Sequence, residues 1–171
     1  MQKFMVIGLT LVAGYLLTLN AAVAQKAHVS QSTWQVGCGD VASGKKVCQI
    51  QRDIKHNNGK DLVARLFVTR DADKKTAVMR FLMPLAVNLP YGVRFAITKG
   101  EKRGKGAVIG YQHCMTDGCL AVVPFTPELA KALRDGKTLH IGFASKTLNG
   151  VEISVDLKGF TFVHKKFLEG V

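Results

Sequence analysis

After an apolar leader, the chain is built of short runs in which apolar and polar residues alternate, the period-two pattern of strands with one buried face. Thr33-Trp34-Gln35-Val36 leads into Cys38, and Val47-Cys48-Gln49-Ile50-Gln51 alternates without a break. Residues 62–69 and 76–82 predict two further strands, joined into a meander by the charged turn 71–75. The apolar stretch 85–90 ends in Pro90-Tyr91-Gly92. There proline presets one backbone angle and glycine takes a positive φ at no steric cost. Alternation resumes at 93–98, and strands are expected again at 107–112, 120–123, 139–144, 151–157 and 160–163. Asn58-Gly59, Asp117-Gly118 and Asn149-Gly150 supply tight hairpin turns between them.

One helix interrupts this pattern. Thr126 can cap it, Pro127 fits its first position, Glu128 suits the N-terminal dipole, and Leu129, Ala130 and Leu133 give it an apolar face that ends at Gly136. About ten closely spaced strands with one short helix predict an all-β domain, a single antiparallel β-sandwich or a closely related barrel.

Residues 1–24 have the features of a cleavable secretory signal. Lys3 begins it, an apolar core runs through 4–19, and Ala22-Val23-Ala24 provides the small-x-small cleavage site. The domain is therefore expected over 25–171, exported, with no later run long enough to span a bilayer. The four cysteines fit an oxidising compartment. They permit three pairings, and local spacing favours Cys38 with Cys48 and Cys114 with Cys119. Neither separation matches a zinc site or a CxxC redox motif.

Charge changes the picture next. The formal net charge is +12, with 24 basic and 12 acidic residues, and Lys3 of the leader contributes only one unit. In an exported protein such a surplus points away from nucleic acid and towards anionic lipid, lipopolysaccharide or acidic host-surface glycan or protein, with peripheral membrane contact. Two basic clusters stand out as candidate binding residues. Lys99, Lys102, Arg103 and Lys105 occupy a glycine-rich loop. Lys158, Lys165 and Lys166 lie near the C-terminus beside His164, interleaved with Phe160, Phe162 and Phe167. Period two would place Phe160 and Phe162 on one strand face in the core, while Phe167 and Leu168 beyond it either pack inward or dock on a partner. Trp34 reads as a core anchor.

Trp34 before Cys38, then Cys48, Leu89-Pro90-Tyr91-Gly92-Val93, Cys114-Met115-Thr116-Asp117-Gly118-Cys119, Phe143 and Val155-Asp156-Leu157-Lys158-Gly159-Phe160 occur in an order that resembles the invasion-associated locus B family of secreted bacterial proteins. The resemblance covers 34–167. It implies a β-sandwich exported by a Gram-negative bacterium to the periplasm, the outer membrane or the outside. It implies association with host-cell invasion in some members, and no catalytic residues.

The residues themselves offer little for catalysis. His28, His56, His113, His140 and His164 are scattered, without a Gly-x-Ser-x-Gly elbow or a His-Glu-x-x-His helix. His113 beside Cys114 could activate a thiol, the basis of an alternative reading as a periplasmic enzyme or redox protein, unless Cys114 is disulfide-bonded. The run 100–106 lacks the helix start of a P-loop. The expectation is a non-enzymatic envelope protein with an anionic partner and no cofactor or metal.

Overall fold

The computed structural model describes residues 25–26, 29–40, 44, 46–70, 76–147 and 149–170; the leader at 1–24, His28 and the turn at 71–75 lie outside these. In chain order the strands are β1 (Gln25–Lys26), β2 (Val29–Gln31), β3 (Gln35–Asp40), β4 (Lys46–His56), β5 (Leu62–Arg70) and β6 (Ala77–Met83). A 3-10 turn at Leu89–Tyr91 leads to β7 (Val93–Lys99), β8 (Lys102–Arg103), β9 (Ala107–Ile109), β10 (Tyr111–Met115) and β11 (Gly118–Phe125). Helix α1 (Pro127–Asp135), β12 (Thr138–Ala144), β13 (Gly150–Asp156) and helix α2 (Phe160–Glu169) complete the chain. The expected sandwich is present and mostly antiparallel, the two-residue β1 pairing in parallel with β13. The strands beyond the anticipated number are chiefly two- and three-residue edge pieces such as β1, β2 and β8.

The larger sheet has the order β10-β11-β6-β5-β4-β2, with β3 also on β4, and the smaller runs β1-β13-β12-β7-β8, with β9 also on β7. The single strand expected over 107–112 is divided at Gly110: β9 pairs with β7 in the smaller sheet, whereas β10 pairs with β11 in the larger. The chain therefore changes sheets at this glycine, tying the two layers together.

Alternation explains the core. Ile50 and Ile54 on β4, Leu66 and Val68 on β5, and Phe81 on β6 point inward from the larger sheet. They join Leu139, Ile141, Ile153 and Val155 of the smaller sheet in one cluster. The same period places Arg52 inside, at 7% exposure. It is accommodated because its Nη1 donates to the Asp156 carbonyl and its guanidinium lies 5.2 Å from the Trp34 ring centre. Burial holds its pKa below the ordinary guanidinium value, against the opposing effect of Asp156.

Both disulfides form as the spacing suggested. Cys38 faces Cys48 across the β3–β4 ladder with Cα atoms 4.0 Å apart, and Cys114 faces Cys119 across β10–β11 at 3.9 Å. The Pro90 turn also behaves as expected, with Asn88 Oδ1 accepting from the Tyr91 amide and Gly92 at φ 67°.

Residues 160–163 depart from expectation: they open helix α2, not a strand. Phe160, Val163, His164 and Phe167 recur at helical spacing and are buried, whereas Phe162 faces solvent at 66% exposure. Phe160 and Phe162 thus lie on opposite sides. Phe160 meets Trp34 edge-on at 5.1 Å, and α2 closes over β3 and β4. Burying one such phenylalanine contributes about 1.5–3 kcal/mol. Phe167 is core, and Leu168 is exposed.

Candidate functional site

The structure redistributes the basic residues that the sequence grouped. Lys99 ends β7 and faces Lys102 across the β7–β8 hairpin. The Lys137 amide donates to the Thr98 carbonyl at 2.7 Å, and the Lys137 carbonyl accepts from the Leu157 amide at 3.0 Å. Lys137 therefore stands between the ends of β7 and β13, and Lys158 follows at once on the far side. Lys102, Lys99, Lys137 and Lys158 form a row across one end of the smaller sheet, all exposed. Lys105 is exposed just beyond β8, where the Gly104 amide donates to the Ile97 carbonyl at 2.8 Å.

The row is not uniformly free. Asp135, at the end of α1, takes Lys99 Nζ at 3.1 Å and Lys131 Nζ at 2.6 Å. Hydrogen bonds from Lys131 and then Lys99 hold its carboxyl below the usual carboxylate range. Glu101 and Asp156 are also at this end, and Asp156 Oδ1 is engaged by the Lys158 amide at 2.9 Å. Lys102, Lys105, Lys137 and Lys158 make no side-chain ion pair among the described residues. Their ammonium groups are the ones available to an outside anion.

The other expected contributors go elsewhere. Arg103 forms a two-pronged pair with Glu152, at 3.1 and 2.7 Å, which cancels its charge locally and lowers the Glu152 pKa. Lys165 and Lys166 lie near the C-terminal end of α2, within 4.0 and 3.7 Å of Glu169, more than a helical turn from Lys158. Sequence reasoning overlooked Lys137 because its neighbours in the row come from two other strands.

Two arrangements bear on chemistry. Cys114 is bonded to Cys119, so no thiol stands beside His113, an exposed residue with no side-chain hydrogen bond among the described residues. On the outer face of the smaller sheet, His140 Nε2 lies 2.8 Å from Thr98 Oγ1, and its Nδ1 is 3.4 Å from both Glu152 Oε1 and Ser154 Oγ. This looks superficially like a hydroxyl–imidazole–carboxylate relay. Its carboxylate, however, is clamped by Arg103, and the strand carrying His140 is laddered on both sides. Its backbone amides are committed to neighbouring strands, whereas an oxyanion hole requires unspent donors. Among the described residues no cluster of three metal-ligating side chains occurs, and no helix is long and apolar enough to cross a membrane.

A sequence-family model for the invasion associated locus B (IalB) protein matches residues 34–168. The chain belongs to the IalB family. The IalB match begins at Trp34, the core anchor, and ends at Leu168 in α2, so it takes in both sheets, both disulfides and the lysine row. The crystal structure of invasion associated protein b from Bartonella henselae has the same fold. It superposes with a TM-score of 0.68 at 23% identity, over 82% of this chain and 95% of that one. No curated protein sequence matches the chain significantly.

Proposed function

We propose that the protein is an exported, non-catalytic member of the IalB family that binds an anionic partner of the bacterial envelope or a host surface through the lysine row at the end of the smaller sheet. The observation that carries this reading is the convergence of Lys102, Lys137 and Lys158 from three separate chain segments, none held in an ion pair by a described residue. Lys105 extends the same edge. Membership of the family and two disulfides are consistent with export to the periplasm or beyond. The bonded state of Cys114 and the absence of a described side-chain partner for His113 favour binding over thiol chemistry.

Each exposed lysine near an anionic membrane contributes about 1 kcal/mol. The triple variant Lys102→Gln, Lys137→Gln, Lys158→Gln should therefore bind phosphatidylglycerol vesicles, lipopolysaccharide or heparin at least about tenfold more weakly, with an unchanged unfolding midpoint. Changing Lys165 and Lys166 to Gln should have a smaller effect. Binding should weaken as the Debye length falls from about 10 Å at 0.1 M salt to about 3 Å at 1 M. Comparing the three surfaces distinguishes lipid, lipopolysaccharide and glycan. Equal retention of wild type and triple variant on all three would reject the row as the contact.

A further inference from the structure

A cleft of about 460 Å³ opens where α1 and α2 meet the end of the larger sheet. Its walls include Phe125, which ends β11, and Phe167 and Leu168 on α2. They also include Arg70 at the end of β5, Arg134 on α1 and His164 on α2, and no acidic residue among the described ones lines it. The volume lies in the lower part of the range for small-molecule sites, which suits one chain-like ligand better than two.

The polar groups are held in place and retain spare donors. Arg70 Nη2 donates to the Phe167 carbonyl at 3.2 Å, and its guanidinium lies 5.1 Å from the Phe167 ring centre, fixing it to the apolar wall. Arg134 Nη1 approaches His164 Nδ1 at 3.4 Å. Arginine can only donate, so Nδ1 accepts and the imidazole proton is placed on Nε2. His164 is 5% exposed and lies 5.8–6.4 Å from Phe125, Phe160 and Phe167, ring centre to ring centre. Its Nε2 donor has no hydrogen-bond partner among the described residues. A donor that no described residue pairs, in a cleft whose described walls hold two arginines and no carboxylate, suits an acceptor from outside.

We infer that this cleft binds a single-chain amphiphile with an anionic head, its acyl chain against Phe125, Phe167 and Leu168 and its carboxylate or phosphate met by Arg134, Arg70 and the Nε2 proton of His164. Apolar walls with a few convergent donors are the usual makeup of such sites, and guanidinium groups match both head groups in planar, two-pronged fashion. The cleft shares none of the lysines of the row, so it is a second site and does not depend on the reading of the first.

Calorimetric titration of the purified protein with laurate, lauroyl lysophosphatidate and neutral monolaurin, each below its micellar concentration, tests the assignment. One of the two anions should bind one-to-one and saturably, and monolaurin at least about tenfold more weakly; the tighter anion identifies the head group as carboxylate or phosphate. Arg134→Gln removes a donor, and Leu168→Glu places a like charge at the rim. Both positions are exposed, so folding should persist while affinity falls about tenfold or more. The triple lysine variant should bind the anion as wild type does. The inference is overturned if neither anion saturates, if monolaurin binds equally well, or if folded Arg134→Gln and Leu168→Glu variants keep full affinity.

Discussion

Gly92 offers a strict test of the fold, because two separate costs meet at one atom. Its backbone is at φ 67°, ψ −169°, a region occupied almost only by glycine and costing other residues about 1–3 kcal/mol. An added Cβ would also stand 2.6 Å from the Ile109 carbonyl oxygen and 3.3 Å from Val108 Cγ1. The first of these is a backbone atom at the point where the chain passes between sheets, so it cannot swing aside as a side-chain tip could. Gly100, in the β7–β8 hairpin, separates the two effects: its φ is +59°, but nothing lies within 4 Å of its added Cβ. Gly100→Ala should therefore cost only the left-handed backbone term, about 1–2 kcal/mol. Gly92→Ala combines the harsher backbone region with the collision and should cost about 3–4 kcal/mol. Urea unfolding gives both values from midpoints at constant slope, and heating should separate them by about 4–10 °C for a domain of this size. Equal losses for the two variants would refute the collision argument. Loss of anion binding in the folded Gly92→Ala protein would move this turn into a binding site.

Replacing Cys38 and Cys48 together by Ser should destabilise by about 3 kcal/mol, and replacing Cys114 and Cys119 by about 2 kcal/mol, because the closed segments differ in sequence separation, 10 against 5; the reverse order in urea would contradict the loop-entropy account. His164 has its pKa lowered by burial first and by Arg134 second, so the unfolded chain takes up its proton at a higher pH than the folded chain. Stability present above the ordinary imidazole value is then lost as pH falls through it towards the folded value. From about pH 7.5 to about pH 5 the melting temperature of wild type should fall more than that of His164→Gln, and parallel curves would show that His164 is not buried neutral.

The strands and disulfides were legible because both leave local traces: alternation within one run, and cysteines close enough in sequence to face each other across a hairpin. Helix α2 was not, for a physical reason. Four residues, Phe160-Thr161-Phe162-Val163, fit a period of two as well as 3.6, and only the continuation to Phe167 separates them. The informative signals were the flanking Gly159 and Gly170, both with positive φ in the structure, and the buried set Phe160, Val163, His164 and Phe167. The lysine row was half legible. Lys99, Lys102 and Lys158 could be named in advance, but Lys137 joins them only through backbone pairing across three strands. Arg103 was expected to be available and is neutralised by Glu152, 49 positions away. The α1–α2 cleft left no local trace, since its charged members come from β5, α1 and α2.

Trp34, the only tryptophan of the chain, is a built-in optical gauge of assembly. Its Nε1 donates at 3.1 Å to the Asp156 carbonyl, which also receives Arg52, and its ring touches Phe160. One chromophore thus senses the last strand of the smaller sheet, a core strand of the larger one and the first turn of α2 at once. Its emission should shift to the red when any of these three lets go. Loosening of the β7–β8 hairpin, which it does not touch, would leave the emission unchanged. Fluorescence and far-ultraviolet dichroism recorded on one sample would therefore show whether the sheets, the covering helix and the basic edge come apart in a single transition or separately.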